Sequence, residues 1–149
     1  MPDGAVIGGP RVLLRLEGVC LLLAAAWAYA WLGQSWWIFA ALLLVPDLSM
    51  LAYAATPAIG AALYNLTHTL SPPLIGLCLT LAYGRTDLAG LALIWLSHIG
   101  LDRALGYGLK YRRGFGHTHL GAIGRRQAVD EPPGTPSGTH PARDGSRSP

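Results

Sequence analysis

Apolar residues along this chain fall into four long runs separated by short polar turns. The first covers about residues 12–32 and closes at Gly33-Gln34-Ser35. The second, about 36–55, is interrupted by Pro46 and ends at Thr56-Pro57. The third, about 58–83, carries Pro72-Pro73 near its middle. Gly84-Arg85-Thr86-Asp87 then leads into the fourth, about 88–107, with Asp87 as its expected N-cap. Each run approaches the roughly 20 residues that a helix needs to cross a bilayer. Proline removes backbone donors, so Pro72-Pro73 predicts a kink or break in the third run. Turns this short place consecutive spans antiparallel. The predicted fold is all-α, a four-transmembrane-helix antiparallel bundle.

Outside the runs the pattern changes. Residues 1–10 contain Gly and Pro and read as a disordered N-terminus. Residues 108–124 form a short juxtamembrane segment, basic and aromatic, suited to anionic head groups. Residues 125–149 mix Pro and Gly with Ser, Thr, Arg and Asp, and read as a disordered tail. Ala28-Tyr29-Ala30 resembles a signal-peptide cleavage site, but Glu17 and the length of the first run argue for a retained span.

Composition supports the membrane reading. The chain is 52% hydrophobic and 13% charged, against about 25% charged for soluble domains. Between Val19 and Gly84 only Asp47 is formally charged. Cys20 and Cys78 lie inside apolar runs and read as small buried hydrophobes. The net charge of +3 comes from the ends: Arg11 and Arg15 before the first run, Lys110, Arg112, Arg113, Arg125 and Arg126 after the last. Four spans put both ends on one face, which the positive-inside rule makes the cytoplasmic face of a plasma (inner) membrane. Basic residues are not interleaved with stacking aromatics, so the expected partner is the lipid bilayer rather than nucleic acid.

Candidate chemistry comes from ionisable residues inside the spans: Glu17, Asp47, His68, His98 and Asp102, with Asn65 beside them. A charge at the bilayer centre costs at least about 2.5–3.5 kcal/mol. Counted along helices rising 1.5 Å per residue, all lie roughly 7–15 Å below the cytoplasmic boundary. His98 and Asp102 are four apart and share a face, as do Asn65 and His68, three apart. Together they describe one buried polar site. Three uses fit it. The residues can pair with one another and hold the helices together, or take up a small ligand or ion. They can form a metal site with His68, His98 and Asp102 as ligands to zinc or iron, and with Asp47 or Glu17 as general base in a membrane hydrolase acting on a lipid or other membrane-proximal substrate. Or they can relay protons or small solutes, a role for which four spans without an internal repeat would need a homo-oligomer.

The segments that hold these residues are Leu14-Arg15-Leu16-Glu17-Gly18, Pro46-Asp47-Leu48-Ser49-Met50, Tyr64-Asn65-Leu66-Thr67-His68 and His98-Ile99-Gly100-Leu101-Asp102-Arg103 with Gly106-Tyr107-Gly108-Leu109-Lys110-Tyr111. Together they resemble the domain of unknown function 4260 family of small, predominantly bacterial membrane proteins. The resemblance covers about Arg11 to Gly124. It implies a membrane protein and carries no assigned activity.

Overall fold

The computed structural model describes Val6, residues 8–110, 117–118 and 120–122. The expected disordered tail, 125–149, and residues 1–5 and 7 of the expected disordered N-terminus lie outside these residues, whereas Gly9 and Pro10, expected to be disordered, open a helix. Helices dominate: α1 Gly9–Trp31, α2 Trp36–Leu42, a 3-10 helix Val45–Ala54, α3 Pro57–His68, α4 Ser71–Ala82 and α5 Thr86–Leu105. A two-residue antiparallel ribbon, β1 His117–Thr118 with β2 Gly121–Ala122, follows.

Prolines explain where the helices stop. Pro46 cannot donate to the Leu42 carbonyl, so α2 ends at Leu42. The chain then tightens into three-residue turns, with Asp47 N–H on Leu44 O at 3.2 Å. Thr56 caps α3 through Oγ1, which accepts from Ile59 N–H at 3.1 Å, and Pro57 occupies the first turn. Pro72 and Pro73 cannot continue α3, but they fit the first turn of α4. The third apolar run is therefore two 12-residue helices with an extended Thr69 between them. The expected break is present, and it falls just before the prolines rather than at them.

Three stretches are long and apolar enough to cross a membrane: Gly9–Trp31, Trp36–Ala54 and Thr86–Leu105. The third expected span is missing from that set because neither half-helix reaches the necessary length alone. Large apolar side chains such as Trp37, Leu48 and Leu51 stand exposed, which suits contact with hydrocarbon and not with water.

α5 is the most enclosed helix. It runs antiparallel to α1, with Arg15 Nε donating to Ala104 O at 2.8 Å near one end and Gln34 Nε2 donating to Thr86 O near the other. Glycines permit the close approach. A Cβ on Gly100 would sit 2.6 Å from Leu22 N, and one on Gly18 would sit 2.6 Å from Ala104 N. Ala25, Tyr29, Leu93, Ile94 and Leu96 form the apolar core, with Leu70 and Leu77 packed against it. α3 runs antiparallel to both the 3-10 helix and α5: residue 67 meets 49 where 60 meets 53, and 64 meets 102 where 68 meets 98.

Three local expectations change. Asp87 is not the N-cap of α5; it lies in the first turn, paired with Arg85 at 2.8 and 3.1 Å. α5 ends at Leu105, two residues short of Tyr107. There Gly106 turns left-handed, with Gly106 N–H on Arg103 O and Tyr107 N–H on Asp102 O. Cys20 and Cys78 are exposed on outward faces and not buried, as apolar side chains on a lipid-facing surface would be.

Candidate metal centre

Four side chains from three segments converge: Asp47 at the start of the 3-10 helix, His68 at the end of α3, and His98 and Asp102 on one face of α5. One nitrogen or oxygen from each lies within 4.8 Å of all the others. The two imidazoles meet edge to face, Nε2 to Nε2, at 3.0 Å. Asp102 Oδ2 is 3.4 Å from His68 Nε2 and 3.9 Å from His98 Nε2; Asp47 Oδ1 is 3.5 and 3.7 Å away. The His98 side chain is fully buried and that of His68 nearly so, whereas Asp47 keeps 38% of its side-chain surface.

Local helix geometry orients His68. Its Nδ1 lies 2.8 Å from the Tyr64 carbonyl, one turn back. A carbonyl only accepts, so Nδ1 carries the proton, and Nε2 of the neutral ring presents a lone pair to the cluster. Thr67 Oγ1 touches the same nitrogen at 2.9 Å and Ser49 Oγ at 3.0 Å. The end of α3 leaves the Thr67 carbonyl free of a helical donor, and Trp95 Nε1–H fills that place at 2.6 Å. Nδ1 of His98 is buried and has no hydrogen-bond partner among the described residues.

Tyr64 supports two members at once. Its ring stacks on His68 with centroids 3.7 Å apart, and its hydroxyl donates to Asp102 Oδ2 at 3.0 Å. Above that ring lies the Lys110 ammonium, 4.2 Å from the centroid. Burial pulls the Lys110 amine down to about 8, against a partial upward pull from Asp102 and Asp47.

The expected site residues thus separate. His68, His98, Asp102 and Asp47 come together. Asn65 does not join them. Its amide makes a pair of hydrogen bonds with the Lys110 backbone instead, Nδ2 donating to O at 2.9 Å and Oδ1 accepting from N–H at 2.7 Å. Glu17 lies outside the cluster, exposed, with its charge acting on Arg103. Tyr64 and Lys110 were not among the expected site residues. Tyr64 was detectable, since it stands four residues before His68 on the same face. Lys110 was not, because only the turn at Gly106 brings it back.

Residues 11–123 match the family described as Domain of unknown function (DUF4260). No curated protein and no solved structure matches the chain.

Proposed function

This chain belongs to the DUF4260 family, which brings no assigned activity, and we propose that its buried cluster is a divalent-metal centre serving hydrolysis in a four-span membrane protein. The observation that carries the reading is the meeting of His68 Nε2, His98 Nε2 and Asp102 Oδ2 at mutual distances of 3.0–3.9 Å, with Asp47 Oδ1 3.5 and 3.7 Å from the two nitrogens. Ligands at 2.0–2.2 Å around a tetrahedral ion stand about 3.3–3.6 Å apart. Hydrogen bonding among the four explains the geometry less well. With its proton on Nδ1, His68 offers no N–H to the cluster, so at most the His98 N–H remains to serve a second nitrogen and two carboxylates. The His68 N–H on a backbone carbonyl is also the usual outer partner of a metal-bound histidine.

His68, His98 and Asp102 are the proposed ligands, to zinc or iron. Held by these three residues, a divalent ion would supply Lewis acidity and an activated water at the cluster. Asp47, the most exposed of the four, is placed to take the proton from that water and return it to the leaving group. A cavity of about 10 Å³ beside His68, Asp102 and Arg103 has the volume of a single water.

In the membrane, α3 and α4 together make the third crossing, and both chain ends lie on the cytoplasmic side. Arg11, Arg15 and Lys110 support this orientation, while Arg85 on the far side is balanced by Asp87.

Elemental analysis of the protein purified in detergent tests the metal reading. About one divalent ion per chain is expected, lost in both His68→Ala and His98→Ala. Less than about a tenth of an equivalent after reconstitution with zinc or iron would overturn it. A fall in Tm in the variants, with no ion in the parent, would assign the cluster to helix packing instead.

A further inference from the structure

An apolar groove of about 460 Å³ runs between the 3-10 helix, α3 and α5, lined by Val45, Pro46, Leu48, Ala52, Leu63 and Trp95 among others. Its walls adjoin the cluster in sequence: Pro46 precedes Asp47, and Trp95 stands one turn before His98. Thr67, also in the wall, touches His68 Nδ1 at 2.9 Å. The polar groups of the groove are already engaged. Ser49 and Thr67 hydroxyls bond to each other at 3.0 Å, and Trp95 Nε1–H is held by Thr67 O. A sugar or head group entering here would lose its hydration and gain little in return. Hydrocarbon would lose nothing.

Two further observations select the occupant. Leu48 and Leu51, on the 3-10 helix that forms one wall, stand more than half exposed, so the groove is reached from the side where hydrocarbon lies. Arg103 lines a separate, water-sized cavity together with His68 and Asp102. The cluster therefore adjoins both an oily groove and a small pocket with charged walls, a pairing of polarities that matches an amphiphile.

We propose that this groove docks one hydrocarbon chain of a membrane lipid and presents the linkage to its polar head at the Asp47–His68–His98–Asp102 cluster. The substrate class follows from the metal-centre reading, on which this part of the proposal rests; the docking site itself does not need an ion.

The test uses full-length protein in detergent with Trp27, Trp31, Trp36 and Trp37 changed to Phe, leaving Trp95 as the fluorophore. A phospholipid brominated along its acyl chain is titrated in. Quenching of Trp95 that saturates, and that unbrominated lipid reverses, is the expected result. Ala52→Phe, which fills the groove, should weaken that binding by about tenfold or more while leaving the metal content at the parent value. Quenching that rises with bromolipid fraction without saturating, or that is unchanged in metal-loaded Ala52→Phe, overturns the docking site. His98→Ala separates the two readings. Saturable quenching that persists there without bound metal supports the groove on its own. If saturable quenching occurs but the parent holds no ion, the groove stands and the metal centre falls.

Discussion

Tyr64 shows how much of the site's order depends on one residue beside the ligands. Its carbonyl fixes the His68 tautomer, its ring holds the imidazole plane, and its hydroxyl holds Asp102. Tyr64→Phe keeps the first two and removes the third. Metal affinity should then fall by about 10–100-fold, the usual cost of losing an outer partner. Apo-protein stability should change by only about 1 kcal/mol. A competitive chelator titration beside a thermal melt reads both, and unchanged affinity would remove Asp102 from the ligand set. The sequence exposed the site through cost: polar residues in apolar runs need partners. Depth along the helix was legible, and it brought in Asp47, His68, His98 and Asp102 together. Facing was not. Glu17 sits at a suitable depth but beside the Gly18–Ala25–Tyr29 stripe that α1 buries, so depth alone could not separate it from the members.

Elements followed the same division. Proline chemistry was readable, and both interrupted spans break close to their prolines. What could not be read was the form of the break, since a lone Pro46 allows a kink or a change of helix type. Here packing against α3 accompanies ten residues of 3-10 helix, longer than such turns usually run. α1 against α5 is set by glycine instead. Gly100→Val would drive a side chain into the Leu22 and Gly18 backbone, which cannot move away as a flexible side chain can. A loss of about 1–3 kcal/mol is expected. Gly76→Val, whose Cβ meets nothing within 4 Å, is the control and should melt near the parent temperature. Equal melting of the two in detergent would contradict the α1–α5 contact.

For the molecule as a whole, the proposed third crossing is made by the paired half-helices α3 and α4. The proposed topology predicts opposite signals on either side of them. A phosphatase that is active only outside the cell should be silent when fused after Ala55, active after Arg85 and silent after Lys110. Silence after Arg85 would mean that the pair turns back. Long-range order of this kind was only partly legible in the sequence: charge bias supplied an orientation, but no local signal announced that α5 would be the centre of the packing. That central place bears on biogenesis. α5 is made last of the helices and carries half of the cluster. In the proposed topology, Asp47 and His68 would lie in an apolar layer without His98 or Asp102 until it arrives, and Asp47 alone would carry about 2.5–3.5 kcal/mol of insertion cost. The earlier spans are therefore held in a state that only the last one relieves. A ribosome that stalls before residue 86 leaves behind a chain with exposed intramembrane polar groups, the mark by which an incomplete copy can be told from a finished one.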